Sequence, residues 1–274
     1  MKDLFDLTGK TAIITGGSGL LGMQHARALL QKNCNIEIWD INQNDMAKTK
    51  AKLLSEFPKK GIETQQIDVS SEIEIASAVS DFDLNNSKID ILINNAAINP
   101  KFESKGNSNS SHFENYSVET WNEEISVGLT GAMLCSKYIG THMAKSGGGV
   151  ILNISSDLSI ISPDQRIYEK PGIPKESQFK KPVSYSVIKA GLVGLTKFLA
   201  TYWASENVRV NSLSPGGVYE NQDQLFVANL TSRIPMSRMA DINEYVGAIQ
   251  FLCSDASSYM TGQNIVMDGG RTVW

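Results

Sequence analysis

The chain has 274 residues, 41% of them hydrophobic, enough for one α/β unit with a sizeable core, and a single domain is expected. Its 25 Lys and Arg against 29 Asp and Glu give a formal charge of −4, which leaves no electrostatic footprint for nucleic acid or an anionic membrane; the expected partner is a small polar molecule. The start Met1-Lys2-Asp3-Leu4-Phe5-Asp6 lacks a basic n-region and an apolar h-region, so a cytoplasmic protein is expected, and the scattered Cys34, Cys135 and Cys253 predict buried thiols rather than disulfides or a metal site.

Taken in chain order, short β-branched runs alternate with amphipathic stretches, the pattern of βαβ units around a parallel sheet. Strands are predicted at 11–15, 35–40, 64–68, 89–94, 150–155, 208–213 and 264–267, and helices at 20–32, 45–57, 72–82, 118–145, 184–206 and 242–254. Most of the strands are near-continuous apolar runs, which suits strands covered on both faces, so the predicted architecture is a doubly wound sheet of seven mainly parallel strands. Three stretches, 95–117, 157–183 and 216–240, follow predicted strands and read as loops. Loops at that edge of an open α/β sheet form the ligand crevice.

Between the first strand and first helix lies Thr15-Gly16-Gly17-Ser18-Gly19-Leu20-Leu21-Gly22, the strand–turn–helix setting of a dinucleotide site. Glycines let the backbone approach a pyrophosphate, and the amides at a helix N-terminus receive its charge. Asp40, 18 residues after Gly22 at the end of the second strand, can accept hydrogen bonds from both ribose hydroxyls of an adenosine. A carboxylate there repels a 2′-phosphate, and no Arg or Lys lies in the glycine turn or directly after Asp40 and Ile41, so NAD is expected in preference to NADP. Asp68 and Val69 are expected either to flank the adenine or to form the entry to the next helix.

Tyr185-Ser186-Val187-Ile188-Lys189 places a phenol and an amine four apart, on one face of a helix. Lowering a phenol from its reference value near 10 to about 7 takes roughly 4 kcal/mol of preferential stabilisation of the phenolate. A unit charge about 4 Å away at an effective dielectric of about 20 supplies roughly that amount. A serine from Ser155-Ser156, at the end of the fifth predicted strand, can hold a carbonyl or alcohol oxygen beside the phenol.

These motifs together resemble the short-chain dehydrogenase/reductase superfamily, short branch, over almost the whole chain. The resemblance rests on the 15–22 turn, Asp68-Val69, Asn94-Asn95-Ala96-Ala97, Asn153-Ile154-Ser155-Ser156, Tyr185 to Lys189, Arg209-Val210-Asn211, Pro215-Gly216, Thr261-Gly262 and Asp268-Gly269-Gly270. It implies a Rossmann-like fold and a tyrosine proton carrier (Tyr185), with a lysine that lowers the tyrosine's pKa and holds the nicotinamide ribose (Lys189). Ser156 falls in the role of the oxygen-positioning serine, with Ser155 as its alternative. It further implies cofactor contacts at Gly16, Ser18, Gly19, Leu20, Leu21, Gly22, Asp40, Ile41, Asp68, Val69, Asn95, Ala96, Ala97, Tyr185, Lys189, Pro215, Gly216 and Val218, and a homotetramer or homodimer built on the 118–145 and 184–206 helices.

The sequence departs from the family pattern at three places. The turn is spaced TGxxGxxG, Gly128 stands where the family carries a helix-borne asparagine, and Glu220 ends the segment in which a threonine is usual. Ser156 and Tyr185 are also 29 positions apart, so a segment is inserted between them. Its prolines, charges and amides match a hydroxyl-rich or anionic substrate, and Arg166 is the expected anion clamp, with Asp157 a candidate for a sugar hydroxyl. The reading is therefore NAD(H)-linked interconversion of a secondary alcohol and a ketone on a sugar, sugar acid or activated sugar. Its alternatives are a sugar epimerase or dehydratase with tightly held NAD and a non-catalytic dinucleotide-binding protein. His25, His112 and His142 have no partners at metal-ligand spacing; packing or surface roles are expected, with His112 nearest the crevice.

Overall fold

The computed structural model describes residues 3–85, 87–98 and 108–274; the tip of the expected 95–117 loop, 99–107, lies outside the described residues. Among the described residues seven strands form one sheet, β1 (Thr11–Thr15), β2 (Asn35–Asp40), β3 (Ile62–Gln66), β4 (Ile91–Asn94), β5 (Gly149–Ile154), β6 (Val208–Pro215) and β7 (Asn264–Met267). Their order is β3-β2-β1-β4-β5-β6-β7 and every neighbouring pair is parallel. The helices are α1 (Leu20–Leu30), α2 (Gln43–Glu56), α3 (Glu72–Leu84), α4 (Val118–Ile125), α5 (Gly131–Lys145), α6 (Val183–Tyr202), α7 (Gln224–Thr231) and α8 (Val246–Cys253).

Alternation along a strand puts successive side chains on opposite faces, and both faces are covered. On β1, Ala12 and Ile14 join a core with Ala26 and Leu29 of α1 and Ile249 and Leu252 of α8. Ile13 joins the other core, with Val79 of α3, Ile139 and Met143 of α5, and Leu199 of α6. Each fully buried Ile or Leu of this kind contributes roughly 1.5–3 kcal/mol of transfer free energy, which is why the strand sequences read as unbroken apolar runs. The three cysteines are buried within these cores, and burial pushes their thiols up.

Several boundaries differ from the sequence expectation. β3 begins and ends two residues early because its register is set by β2, with Ile36 opposite Ile62 and Asp40 opposite Gln66; Ile67 and Val69 are buried beyond the ladder. The expected 118–145 helix is interrupted by a π turn at Ser126–Thr130. There the buried Gly128 lies so close to α6 that a Cβ would come 2.9 Å from Ile188 Cγ2. The last large helix starts at Val246, since Glu244 turns back to accept from the Asp241 amide and pairs with Arg238. The 216–240 stretch contains α7, whose N-cap Asp223 accepts from the Leu225 and Phe226 amides. Among the described residues α6 is the one helix long and apolar enough to cross a membrane, but it packs on β5 and β6 and carries the buried Lys189.

The carboxyl ends of all seven strands share one edge, and the 157–183 insertion rises from it beside α7. Ile167, Tyr168, Leu230, Ile234 and Met239 form a small core of their own, joined by Phe179 and Phe226, with Tyr168 stacked on Phe226 at 5.5 Å and edge-on to Phe179 at 5.3 Å. The insertion is therefore an anchored platform with an aromatic interior.

Candidate active site

The turn after β1 depends on missing side chains. Gly16 has φ +58°, and a Cβ there would lie 2.8 Å from Ala96 Cα; a Cβ on Gly22 would lie 2.4 Å from the Gly16 carbonyl oxygen. Asn95 braces the turn from the next strand, its Nδ2 donating to the Thr15 and Gly16 carbonyls at 3.1 and 2.9 Å while its own amide and that of Ala96 donate to Thr15 Oγ1. Helix α1 opens at Gly19 with no side-chain cap and no acidic residue in its first turn, which leaves its N-terminal amides directed at the crevice. Asp40 reaches across from β2, with Oδ2 accepting from the Ser18 amide at 3.1 Å and Oδ1 from Asn42 at 3.1 Å. Around it Gly19, Leu20 and Ile41 are exposed and Leu21 is half-buried. The buried Ser18 hydroxyl, in this turn, has no hydrogen-bond partner among the described residues. A glycine cradle, uncapped helix amides and a carboxylate at the second strand fit a dinucleotide.

Asn94 is a buttress: its Nδ2 donates to Asn153 Oδ1 at 2.8 Å and Ser136 Oγ at 3.0 Å, tying β4 to β5 and α5. Ala97 is exposed on the crevice side of the same segment. Asp68 closes a turn, its Oδ1 accepting from both the amide and hydroxyl of Ser70 ahead of the N-cap Ser71, and the buried Val69 side chain packs against Gly131. Asp68 thus forms the entry to α3, one of the two roles expected for this pair. Pro215 ends β6; the Gly216 amide donates to the Met267 carbonyl, and Val218 bridges to Ala240.

The proton site sits at the end of β5. Lys189, buried on α6, donates from Nζ to the Ile154 carbonyl at 2.7 Å, and Ser155 Oγ donates to the Lys189 carbonyl at 2.7 Å, so the two pin α6 to the strand end. Ser155 is thereby occupied, and Ser156 is the serine whose hydroxyl bonds the Tyr185 phenol. Burial pushes Tyr185 up, with the Ser156 bond offsetting part of the effect. The downward shift expected from Lys189 alone is thus not the dominant effect; burial is. Burial also pushes Lys189 down to about 8, helped by the charge of Lys181.

Two expected substrate contacts are corrected. Asp157 is buried, with Oδ2 taking Arg271 Nη1 at 2.7 Å and Oδ1 taking the Ser156 hydroxyl at 2.8 Å. Both oxygens are engaged, so its role is to orient Ser156. Arg166 is 75% exposed and its guanidinium grips Asp164 through Nε and Nη2, both at 2.8 Å, which occupies the fork expected to hold an anion. Among the histidines, His142 lies between Asp83 and the Ile89 amide, His25 is buried under the glycine turn, and His112 holds the insertion through the Gln178 carbonyl at 2.7 Å.

Sequence reasoning missed Arg271, Glu124 and Lys181. Glu124, buried on α4, accepts from the Tyr116 and Ser184 hydroxyls. Lys181 lies over the ring of Tyr185, four residues before it, mirroring the spacing of Lys189 after it; that spacing was the available signal.

Comparison with known proteins gives a consistent picture. Residues 10–168 match the family model described as short chain dehydrogenase, and residues 173–272 the one described as Enoyl-(Acyl carrier protein) reductase. The chain is 31% identical over 279 residues to an NADP-dependent mannitol dehydrogenase of Alternaria alternata, covering 100% of this chain and 96% of the relative. It is 30% identical over 269 residues to a 3-oxoacyl-[acyl-carrier-protein] reductase of Chlamydia trachomatis, covering 96% of this chain and 98% of that one. Among solved structures it superposes on a gluconate 5-dehydrogenase from Burkholderia cenocepacia, in complex with NADP and tartrate, with a TM-score of 0.84 and 27% identity over 99% of this chain and 98% of that one.

Proposed function

Because the chain belongs to the short-chain dehydrogenase/reductase superfamily, and is by that membership an oxidoreductase, we propose that it interconverts a secondary alcohol and a ketone on a polyol, sugar or sugar acid, using NAD in preference to NADP. The observation that carries the reaction is the convergence of Ser156, Tyr185 and Lys189 at the carboxyl end of β5, on the same sheet edge as the glycine cradle. In the oxidative direction Tyr185 Oη takes the substrate's hydroxyl proton. Ser156 Oγ, whose proton goes to Asp157 when no substrate is bound, turns that proton to the same oxygen and donates to it, and the Lys189 ammonium, anchored on the Ile154 carbonyl, stabilises the phenolate. Nicotinamide, when bound, supplies the hydride acceptor or donor.

Asp40 supports the NAD preference, since its carboxylate would face a 2′-phosphate with no cation of the glycine turn between them. The names of the mannitol and gluconate relatives support the polyol class. Met133, Val187, Phe198 and Tyr202 expose apolar surface along α5 and α6, the face on which a second copy would dock to form the homodimer or homotetramer; the setting is taken as cytoplasmic.

The test is a screen of the purified protein for NAD reduction with polyols, gluconate and nucleotide sugars, run beside reduction of 3-oxoacyl thioesters. Turnover on a polyol or sugar acid supports the reading; turnover confined to acyl thioesters replaces the substrate class, and none on any alcohol or ketone defeats it.

A further inference from the structure

Lys181, two residues before α6, sets its Nζ 3.7 Å from the centre of the Tyr185 ring, whereas Lys189 Nζ is 5.7 Å from it. The position is built. The side chain of Gln165 grips the Lys181 peptide on both sides, accepting from its N–H at 2.8 Å and donating to its C=O at 3.4 Å. Buried Pro182 follows and fixes the entry to α6. Burial pushes the Lys181 ammonium down to about 8, opposed by the carboxylates of Glu124, from α4, and Asp157, from the end of β5. Glu124 is itself held by the Tyr116 and Ser184 hydroxyls, and both it and Asp157 are buried.

We propose that Lys181 is a positioning residue of the proton site: its ammonium, laid on the ring of Tyr185, stabilises the negative charge that the phenol carries once it has given up its proton. This rests on the reading of Tyr185 as the proton carrier. A cation over an aromatic face is attracted by the neutral ring, and more strongly once the ring carries part of a phenolate charge. Among the described residues, the titratable groups facing Tyr185 are Lys189 from its own helix, Lys181 and Tyr168 from the insertion, and Asp157 from the end of β5. Asp157 is matched by Arg271, so the two lysines are the cations left close to the ring, at 3.7 and 5.7 Å from its centre. The insertion is thereby part of the acid–base device as well as a wall of the crevice, and it brings its own charge to the ring.

The experiment is an NMR titration of Cζ-labelled tyrosine in the NAD complex of the wild-type protein, Lys181→Met and Lys181→Arg, with the Tyr185 signal assigned by its loss in Tyr185→Phe. Alongside it runs the pH profile of polyol oxidation. In Lys181→Met the Tyr185 midpoint should rise by about one pH unit, and the acid limb of kcat should move with it. KM should stay within about twofold, and Lys181→Arg should restore most of the shift. An unchanged midpoint in a folded Lys181→Met protein overturns the proposal; so does a raised KM with a fixed midpoint, which would make Lys181 a clamp for a substrate carboxylate. Should Lys181→Met fail to fold, Gln165→Ala, which keeps the ammonium and loosens its grip, must show a smaller rise, and no rise overturns the proposal. Because the NMR titration needs no turnover, a shifted midpoint in a protein that oxidises no alcohol would sink the functional reading and leave this one standing.

Discussion

The two halves of the crevice are built from different materials. Around β1, β2 and β4 the cradle is made of peptide groups and missing side chains: Asn95 on the Thr15 and Gly16 carbonyls, Gly22 against Gly16, and one carboxylate, Asp40. Around β5, the insertion and the C-terminal turn, the proton site is made of charges taken out of water: Lys189, Lys181, Glu124, and the Asp157–Arg271 pair with side chains only 5% and 7% exposed. Steric exclusion and neutral hydrogen bonds do not respond to protonation, whereas a buried charge depends on its partner. The binding half should therefore tolerate loss of its charge, and the reaction half should not.

The largest expected effect lies in the reaction half. Arg271→Met leaves Asp157 buried without its cation and should destabilise the fold by about 3–5 kcal/mol, measured by urea denaturation. A loss below about 1 kcal/mol would place that pair among ordinary surface bridges and break the contrast. The second prediction concerns a buried group of the binding half that stays neutral. Burial lowers His25 from 6.5 to about 4, so the folded state refuses a proton that the unfolded chain accepts. Stability from this group is complete above about pH 6.5 and is lost as pH falls toward about 4, by up to roughly 3 kcal/mol. His25→Gln should flatten that part of the stability curve; an identical slope in the variant would mean that His25 takes no part. The smallest effect is at Asp40: Asp40→Ala should leave NADH binding measurable while narrowing the gap between NADH and NADPH by about tenfold, roughly 1.4 kcal/mol. Tighter binding of NADPH than NADH by the wild-type protein would overturn the cofactor assignment.

The same division governs what could be read from the sequence. The cradle was legible because its requirements are local: glycines at fixed spacing, a strand before and a helix after, and Asp40 at a strand end. Tyr185 and Lys189 were legible because four-residue spacing on a helix is a local fact as well. Partners of the buried charges come from distant parts of the chain, Arg271 lying 114 positions from Asp157, and no spacing announces them. Asp157 and Arg166 were misjudged for that reason, since a charge in a loop sequence looks available until its partner is seen. The insertion read as polar because its apolar residues, Ile167, Tyr168 and Phe179, follow no period; they find their complement in α7. That helix did carry a signal, the N-cap Asp223 ahead of Leu225, Phe226 and Leu230, hidden by the polar residues before it. Gly128 was visible as a departure, and Ile188 supplies its reason, since an asparagine side chain would meet it.

In the proposed reaction Tyr185 moves the proton and the binding half holds the dinucleotide. The most direct test is to measure NADH binding by fluorescence and alcohol oxidation by NADH absorbance, on the wild-type protein and Tyr185→Phe, with one polyol or sugar acid that the wild-type protein turns over. NADH affinity within about twofold of wild type, with turnover reduced by about 10²–10⁴-fold, is the predicted result. Near-wild-type turnover in Tyr185→Phe would contradict it.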